Sequence, residues 1–428
     1  MSQAWLLQNG RIIDPANNID GQGDLLIDGA VIAGIFPGGA PPERTAGAEV
    51  VDATGKWIVP GLIDMHVHLR EPGEEYKETI ASGTRAAAAG GFTAVACMPN
   101  TKPVNDSEAV TALILARAQE GSARVYPVGA ISQGLQGEAL APLGELRRAG
   151  AVAVSDDGRP VTNGQLMRRA LEYSANHELL VISHAEELSL SENGVMHEGA
   201  LATSLGLRGI PPIAEEIMIY RDLALARYTG RPVHIAHVST RESVDLIRRA
   251  KAQGCRVTAE TAPHYFSLTE AAVDRYNTRA KMNPPLRTVD DVAAIRAGLA
   301  DGTLDAIATD HAPHSELEKE VEFDLAANGV IGLETALPLA LALVRDSLLT
   351  PRRLVEVMSL NPARILGVSG GSLAPGAPAD VTVIDPETRF VFTEAEILSK
   401  SRNSPFLGWE LQGRAVLTLL AGRVTFRR

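Results

Sequence analysis

Eight apolar, β-rich runs recur along the middle of the chain, and they limit its fold more than any other feature. They are Trp57 to Ile63, Phe92 to Met98, Arg124 to Ile131, Ala151 to Ser155, Leu179 to Ser183, Pro232 to His237, Arg256 to Ala262 and Asp305 to Thr309. Between most of them lie stretches with helical spacing, such as Ile213 to Tyr228 and Ser243 to Ala252. Strands alternating with helices build a parallel sheet, and eight units are the number that closes into a (β/α)8 TIM-like barrel. Apolarity within the runs is continuous rather than alternating, as expected of strands covered on both faces. An open doubly wound sheet is the alternative, but it usually carries a Gly-rich phosphate loop after its first strand. Histidines occupy that place here.

The flanks read differently. Up to about residue 55 the chain has short apolar stretches between turn signals: Trp5 to Leu7, Gly10 to Pro15, Asp24 to Gly29 and Val31 to Ile35, with Asp28-Gly29 suited to a hairpin turn. The far end has similar stretches, Asp380 to Pro386, Val416 to Leu420 and Arg423 to Phe426. Because chain termini often lie close together, both ends are expected to build one small composite β-sandwich domain. The division predicted is 1–55 and 366–428 for the small domain and 56–365 for the barrel.

Where polar residues interrupt the apolar runs is more informative still. The first run is followed by Asp64-Met65-His66-Val67-His68-Leu69-Arg70-Glu71-Pro72-Gly73. Residues i and i+2 of a strand point the same way, so His66 and His68 present two imidazoles to one side, a spacing suited to a metal ion. Taken alone, a His-x-His is more readily two histidines facing water or making ordinary hydrogen bonds. The other runs weigh against that: the fourth ends in Asp156-Asp157-Gly158, the fifth in His184, the sixth in His237 and the eighth in Asp310-His311. In a (β/α)8 barrel those ends converge on the mouth where catalysis is done. Imidazole and carboxylate suit zinc and similar divalent ions. His66, His68, Asp157, His184, His237 and Asp310 are more ligands than one tetrahedral ion needs, so two ions sharing a bridge fit better.

The bulk numbers agree with an ordinary soluble globular protein: 45% hydrophobic and 21% charged residues among 428. A formal charge of −12 argues against nucleic acid and acidic membrane surfaces as partners, leaving a small-molecule substrate. Cys97 and Cys255 are too few for a disulfide framework and lack thiolate-metal spacing. No apolar run reaches membrane-spanning length and the N-terminus has no secretion-signal pattern, so a cytoplasmic location is expected.

With these motifs in place, the chain resembles the amidohydrolase superfamily, and within it the bacterial dihydroorotase family, from Gly61-Leu62-Ile63-Asp64-Met65-His66 to Pro375-Gly376-Ala377-Pro378-Ala379-Asp380. The resemblance implies a zinc-dependent cyclic amidohydrolase with two Zn2+ ions and a bridging hydroxide, interconverting N-carbamoyl-L-aspartate and (S)-dihydroorotate in pyrimidine biosynthesis. It implies a binuclear centre on His66, His68, His184, His237 and Asp310. Many superfamily members bridge the ions with a carboxylated lysine, but this chain has no lysine between Lys102 and Lys251. Relatives that use an aspartate instead point to Asp157, with Asp156 as the fallback because neighbouring strand residues face opposite ways. Asp310 is the expected proton-transferring catalytic residue.

The same resemblance assigns the substrate carboxylate to Arg70, Asn100 and His314, and the ring to Asn283 and main-chain groups near Gly329. Arginine is the forked cation such a carboxylate calls for. Read more plainly, Arg70 could be in an ion pair with Glu71 and Asn100 a turn residue. Several relatives carry phenylalanine just before that glycine, whereas this chain has Asn328, which with Gly329 is expected to face the substrate through its main chain. The charged segment Ser315 to Asn328 is expected to be a mobile cover. An allantoinase or dihydropyrimidinase shares barrel and metals but usually brings the bridging lysine. A third reading is a non-catalytic scaffold for aspartate carbamoyltransferase, disfavoured by the intact ligand set. Homodimerisation and association with aspartate carbamoyltransferase are the protein partnerships left open.

Overall fold

The computed structural model describes residues 4–428. Its barrel strands are β6 (Leu62–Val67), β7 (Phe92–Cys97), β8 (Arg124–Gly129), β9 (Ala153–Ser155), β10 (Leu180–Ser183), β13 (Val233–Ile235), β14 (Val257–Thr261) and β15 (Ala306–Ile307). They hydrogen-bond in that order as one parallel sheet of eight. The barrel closes between its first and last strands through a parallel bridge from Val67 to His311, with the His68 N–H donating to the His311 carbonyl at 2.8 Å. Small pieces interrupt the alternation, notably the short parallel pair β11 (Met196–His197) and β12 (Gly209–Ile210).

Capping residues at the start of the outer helices turn the chain away from the mouth. Thr79 caps helix Ile80–Ala89, Asn163 caps Gly164–Ser174, Thr240 caps Arg241–Ala252 and Thr288 caps Val289–Asp301. Each such side chain satisfies an N–H that the first helical turn leaves open, worth about 1 kcal/mol. The large core cluster packs these helices on the strands. A second cluster joins Met65, Ala96, Val128, Ala153, Ile182, Ala236 and Ala306. Side chains from six strands, and from Ala236 just past the end of β13, can meet only in the lumen, so the barrel is filled rather than hollow. Helix Asn361–Leu366 adds Leu366 to the same cluster.

The terminal sheet contains β1 (Ala4–Asp14), β2 (Ile19–Asp28), β3 (Val31–Phe36), β4 (Glu49–Asp52), β5 (Trp57–Pro60), β16 (Val381–Val391), β17 (Glu410–Leu420) and β18 (Arg423–Arg427). Its main path runs β18-β17-β16-β5-β1-β2-β3, with β4 also on β1. The two layers of the expected sandwich are thus one continuous sheet curled on itself. Trp5 Nε1 in β1 donates to the carbonyl of Gly422, between β17 and β18, at 3.0 Å, and both halves share one apolar cluster. The Asp28-Gly29 turn forms as expected, with Gly29 at φ 58° and Asp28 paired with Val31.

The first apolar run, expected as one strand, is two. β5 pairs with β1 and β16 in the terminal sheet, and β6 starts the barrel. The break falls at Gly61, where a Cβ would lie 2.1 Å from Thr93 Oγ1, so only glycine lets the chain pass between the sheets at this point. Residues 392–409, between β16 and β17, also leave the terminal sheet and reach the barrel, burying Ser399, Asn403 and Ser404. Among the described residues no helix is long and apolar enough to cross a membrane.

Candidate active site

The His66 and His68 rings both reach Asp157: His66 Nε2 lies 3.2 Å from Oδ1 and His68 Nε2 3.4 Å from Oδ2. From the other side, His184 Nδ1 and His237 Nε2 approach Asp157 Oδ1 at 3.4 and 3.6 Å. Two groups of three therefore share one carboxylate, and in each the donor atoms lie within 4.8 Å of one another. All five residues are buried. Asp156 faces away, accepting from the N–H groups of Ile131 and Ser132 and from the Ser132 hydroxyl. Asp310 stands beside the first group, its Oδ1 3.1 Å from His68 Nε2 and 3.7 Å from His66 Nε2, without belonging to either trio.

Electrostatics hold these carboxylates ionised. Burial alone would raise the Asp157 carboxyl, but the His66 charge and bonds to His184, His237 and His66 outweigh it and keep the group well below its ordinary range. Asp310 is lowered in the same way, with burial opposed by its bond to His68 and by the neighbouring ring charges. Conversely, burial disfavours charge on His184, yet Asp157 and Glu186 raise it to about 10. The cluster thus favours positive charge at its centre. His66 Nε2 is buried without an aligned hydrogen-bond partner, so a cation there could take the place of its proton and use the freed lone pair. Nitrogen and carboxylate donors without thiolate fit a zinc-like divalent ion.

A further layer orients the rings. His66 Nδ1 donates to Glu260 Oε1 at 2.8 Å, His68 Nδ1 to Asn100 Oδ1 at 2.8 Å, and His184 Nε2 to Glu186 Oε2 at 3.2 Å. Such contacts choose which ring nitrogen faces the metal side. Glu260 and Glu186 were not among the residues picked from sequence. The signals were nevertheless there: Glu260 is the one acid inside the run Arg256 to Ala262, and Glu186 follows His184 by two positions. Glu260 also lies 3.3 Å from His234. The bonds to His234 and His66 overcome burial and lower it to about 2.

The residues expected to contact substrate divide into two sets. Arg70 is buried, its Nε donating to the Pro313 carbonyl at 3.1 Å and its Nη2 lying 3.2 Å from His314 Nε2. It does not pair with Glu71, which lies 3.5 Å from Arg117 instead. Burial and the Arg70 charge lower His314 to about 2, so its ring is neutral. His314 Nε2 is also 2.8 Å from the main-chain oxygen of Asn328. Gly329 adopts φ 132°, and its N–H donates to Lys281 O at 3.0 Å. Asn100 and Asn283 instead face the His/Asp cluster and its partners. Asn100 Nδ2 is 3.4 Å from Asp157 Oδ2, and Asn283 Nδ2 donates to Glu186 at 2.9 Å. The segment expected as a mobile cover is tied down by Lys319, which donates to the carbonyls of Lys281, Ala327 and Gly329.

Three of the twelve non-glycine residues with positive φ among the described residues lie at this place. Arg70, His237 and Asp310 all have positive φ, of 60°, 35° and 49°. A non-glycine residue held so costs on the order of 1–3 kcal/mol, and the surrounding fold must over-determine it. The strain lies on the side chains that the chemistry would use.

A closed parallel barrel with four histidines and two aspartates at its C-terminal mouth, one carboxylate shared, defines an amidohydrolase. Comparison with known proteins narrows this. Residues 55–243 match the Dihydro-orotase-like family model. Two dihydroorotases, from Pelobacter propionicus and Desulfotalea psychrophila, are 59% and 61% identical over 424 and 423 residues, each alignment covering 99% of both chains. Among solved structures, L-hydantoinase from Arthrobacter aurescens superposes with a TM-score of 0.88 at 25% identity, covering 100% of this chain and 96% of that one. Dihydropyrimidinase from Brevibacillus agri gives 0.86 at 23% identity, covering 99% and 95%, a likeness of fold. The chain belongs to the dihydroorotase family.

Proposed function

We propose that this chain opens the ring of (S)-dihydroorotate to N-carbamoyl-L-aspartate and closes it again, the closing direction serving pyrimidine synthesis. The observation that carries the reading is the pair of His/Asp groups sharing Asp157, close enough to the buried Arg70 for the Asp310 and Asp157 charges to act on it. One region of the barrel mouth thus offers a place for a divalent cation and a cation for a substrate carboxylate. With no lysine between Lys102 and Lys251, Asp157 is the residue that would be shared by the two groups when metal is bound. The same reading makes the protein a cytoplasmic enzyme, in keeping with its two unpaired cysteines.

Two zinc ions are the proposed cofactor: His66, His68 and Asp157 would hold one, and Asp157, His184 and His237 the other, with Asp310 beside the first group. Zinc bound there supplies an acidified water and a positive charge against the ring carbonyl oxygen. Asp310, kept ionised and fixed by His68, takes a proton as base and returns it to the departing ring nitrogen as acid. Arg70 offers its forked donors to the carboxylate, and neutral His314 adds a hydrogen-bonding edge without a second charge. Glu260, Asn100 and Glu186 keep the rings in register.

The deciding experiment offers zinc-loaded protein dihydroorotate, dihydrouracil, hydantoin and allantoin side by side. Turnover of dihydroorotate is expected. Turnover of dihydrouracil without dihydroorotate would transfer the chain to the activity its structural neighbours are named for. No turnover at full metal loading would favour the scaffold role.

A further inference from the structure

We infer that Asn403, in the connection between β16 and β17, is a positioning residue for the carboxylate side of the site, an assignment that rests on the dihydroorotase reading. Its side chain is 3% exposed. Oδ1 accepts from the His314 N–H at 3.1 Å, while Nδ2 donates to the carbonyls of Ala312 at 2.9 Å and Gly329 at 3.0 Å. Its own carbonyl accepts from the Ile331 N–H at 3.1 Å. The carboxamide therefore ties the 312–314 main chain to Gly329, and the Asn403 carbonyl extends the hold to Ile331.

Those two segments hold the substrate-side groups. The first carries His314 and the Pro313 carbonyl that receives Arg70 Nε. The second begins at Gly329, packed so tightly that an added Cβ would lie 2.6 Å from Ala312 Cβ and 3.3 Å from His314 Cδ2. The site needs one acceptor toward an N–H and two donors toward carbonyls, which a primary amide supplies and a carboxylate does not. The neighbouring residues anchor the connection at the rim. Ser399 donates to Glu78, the buried carboxylate 3.4 Å from His311 Nε2, and Ser401 donates to Lys77 O at 2.7 Å. Lys319 grips the Gly329 carbonyl from the other side at 3.1 Å. A segment between two strands of the terminal sheet thus sets the spacing of groups at the barrel mouth.

The test uses the full-length zinc-loaded protein with Asn403→Asp, which keeps the size but places oxygen against two carbonyls, and Asn403→Ala, which removes all three bonds. Both are expected to raise KM for dihydroorotate by roughly tenfold or more, with kcat within about threefold. Zinc content should match wild type, and hydrogen exchange should quicken at 312–314 and 329–331 while the rest of the barrel is unchanged. A wild-type KM, or faster exchange spread evenly over the barrel, overturns the assignment. A wild-type enzyme inactive on dihydroorotate would overturn the functional reading instead. Local exchange in the two variants would then still decide whether Asn403 clamps these segments.

Discussion

Replacing Asn100 by alanine separates two roles that the motif alone confounds. Family resemblance assigns Asn100 to substrate, yet its Oδ1 accepts from His68 Nδ1 at 2.8 Å. That bond fixes the His68 ring with Nε2 3.1 Å from Asp310 and 3.4 Å from Asp157. Losing the acceptor removes a hydrogen bond worth about 1 kcal/mol and leaves a partly buried ring N–H unsatisfied, at a cost of roughly 1–3 kcal/mol. A net effect near 2 kcal/mol is about a 30-fold loss of metal affinity, inside the 10–100-fold range for partners behind a ligand. The assay is a two-site zinc titration of apo-protein against a competing chelator, with kinetics repeated at saturating zinc. One of two affinities should weaken, and much of the activity should return with excess zinc. Unchanged affinities with a raised KM would refute the reasoning and restore the purely substrate-binding role.

Arg70→Met should leave zinc content intact, since Arg70 bonds to Pro313 and His314 rather than to a ligand, while weakening dihydroorotate binding by about 2–5 kcal/mol. Equal loss of zinc and substrate binding would show that the two tasks are not separate. Asp310→Asn leaves both His/Asp trios in place and should retain metal yet lose roughly 10²–10⁴ in kcat in both directions. Turnover near wild type would remove Asp310 from proton transfer. Burial lowers His264 to about 4, so the folded state resists its protonation. Its contribution to stability is full above its unfolded value of about 6.5 and is lost as pH falls from there toward the folded value. Between pH 7.5 and 5.0, His264→Gln should therefore lose roughly 2 kcal/mol less stability than wild type in urea unfolding. Parallel losses would place the acid sensitivity elsewhere.

Much of the architecture was legible because it depends on local pattern. Eight continuous apolar runs implied strands covered on both faces, and polar residues at their ends implied a functional mouth. The two-residue strand period brought His66 and His68 to the same carboxylate. Other features had no local signature. The run Trp57 to Ile63 has one character throughout, and only the close approach of Thr93 to Gly61 divides it between two sheets. Asp156 and Asp157 are chemically alike, and strand register turned one toward Ser132 and the other toward four histidines.

The partners of the ligands were least visible, because a hydrogen bond within the folded protein disregards sequence distance. Glu260 serves His66 across 194 positions, and Asn403 meets His314 across 89. By its composition and periodicity the sequence determined the barrel, the placement of chemistry at strand ends and the kinds of groups available. Tertiary structure decided which carboxylate is shared, which ring nitrogen faces the site and which distant amide holds the mouth in shape. Those choices depend on angles and close side-chain contacts that exist only after the barrel closes.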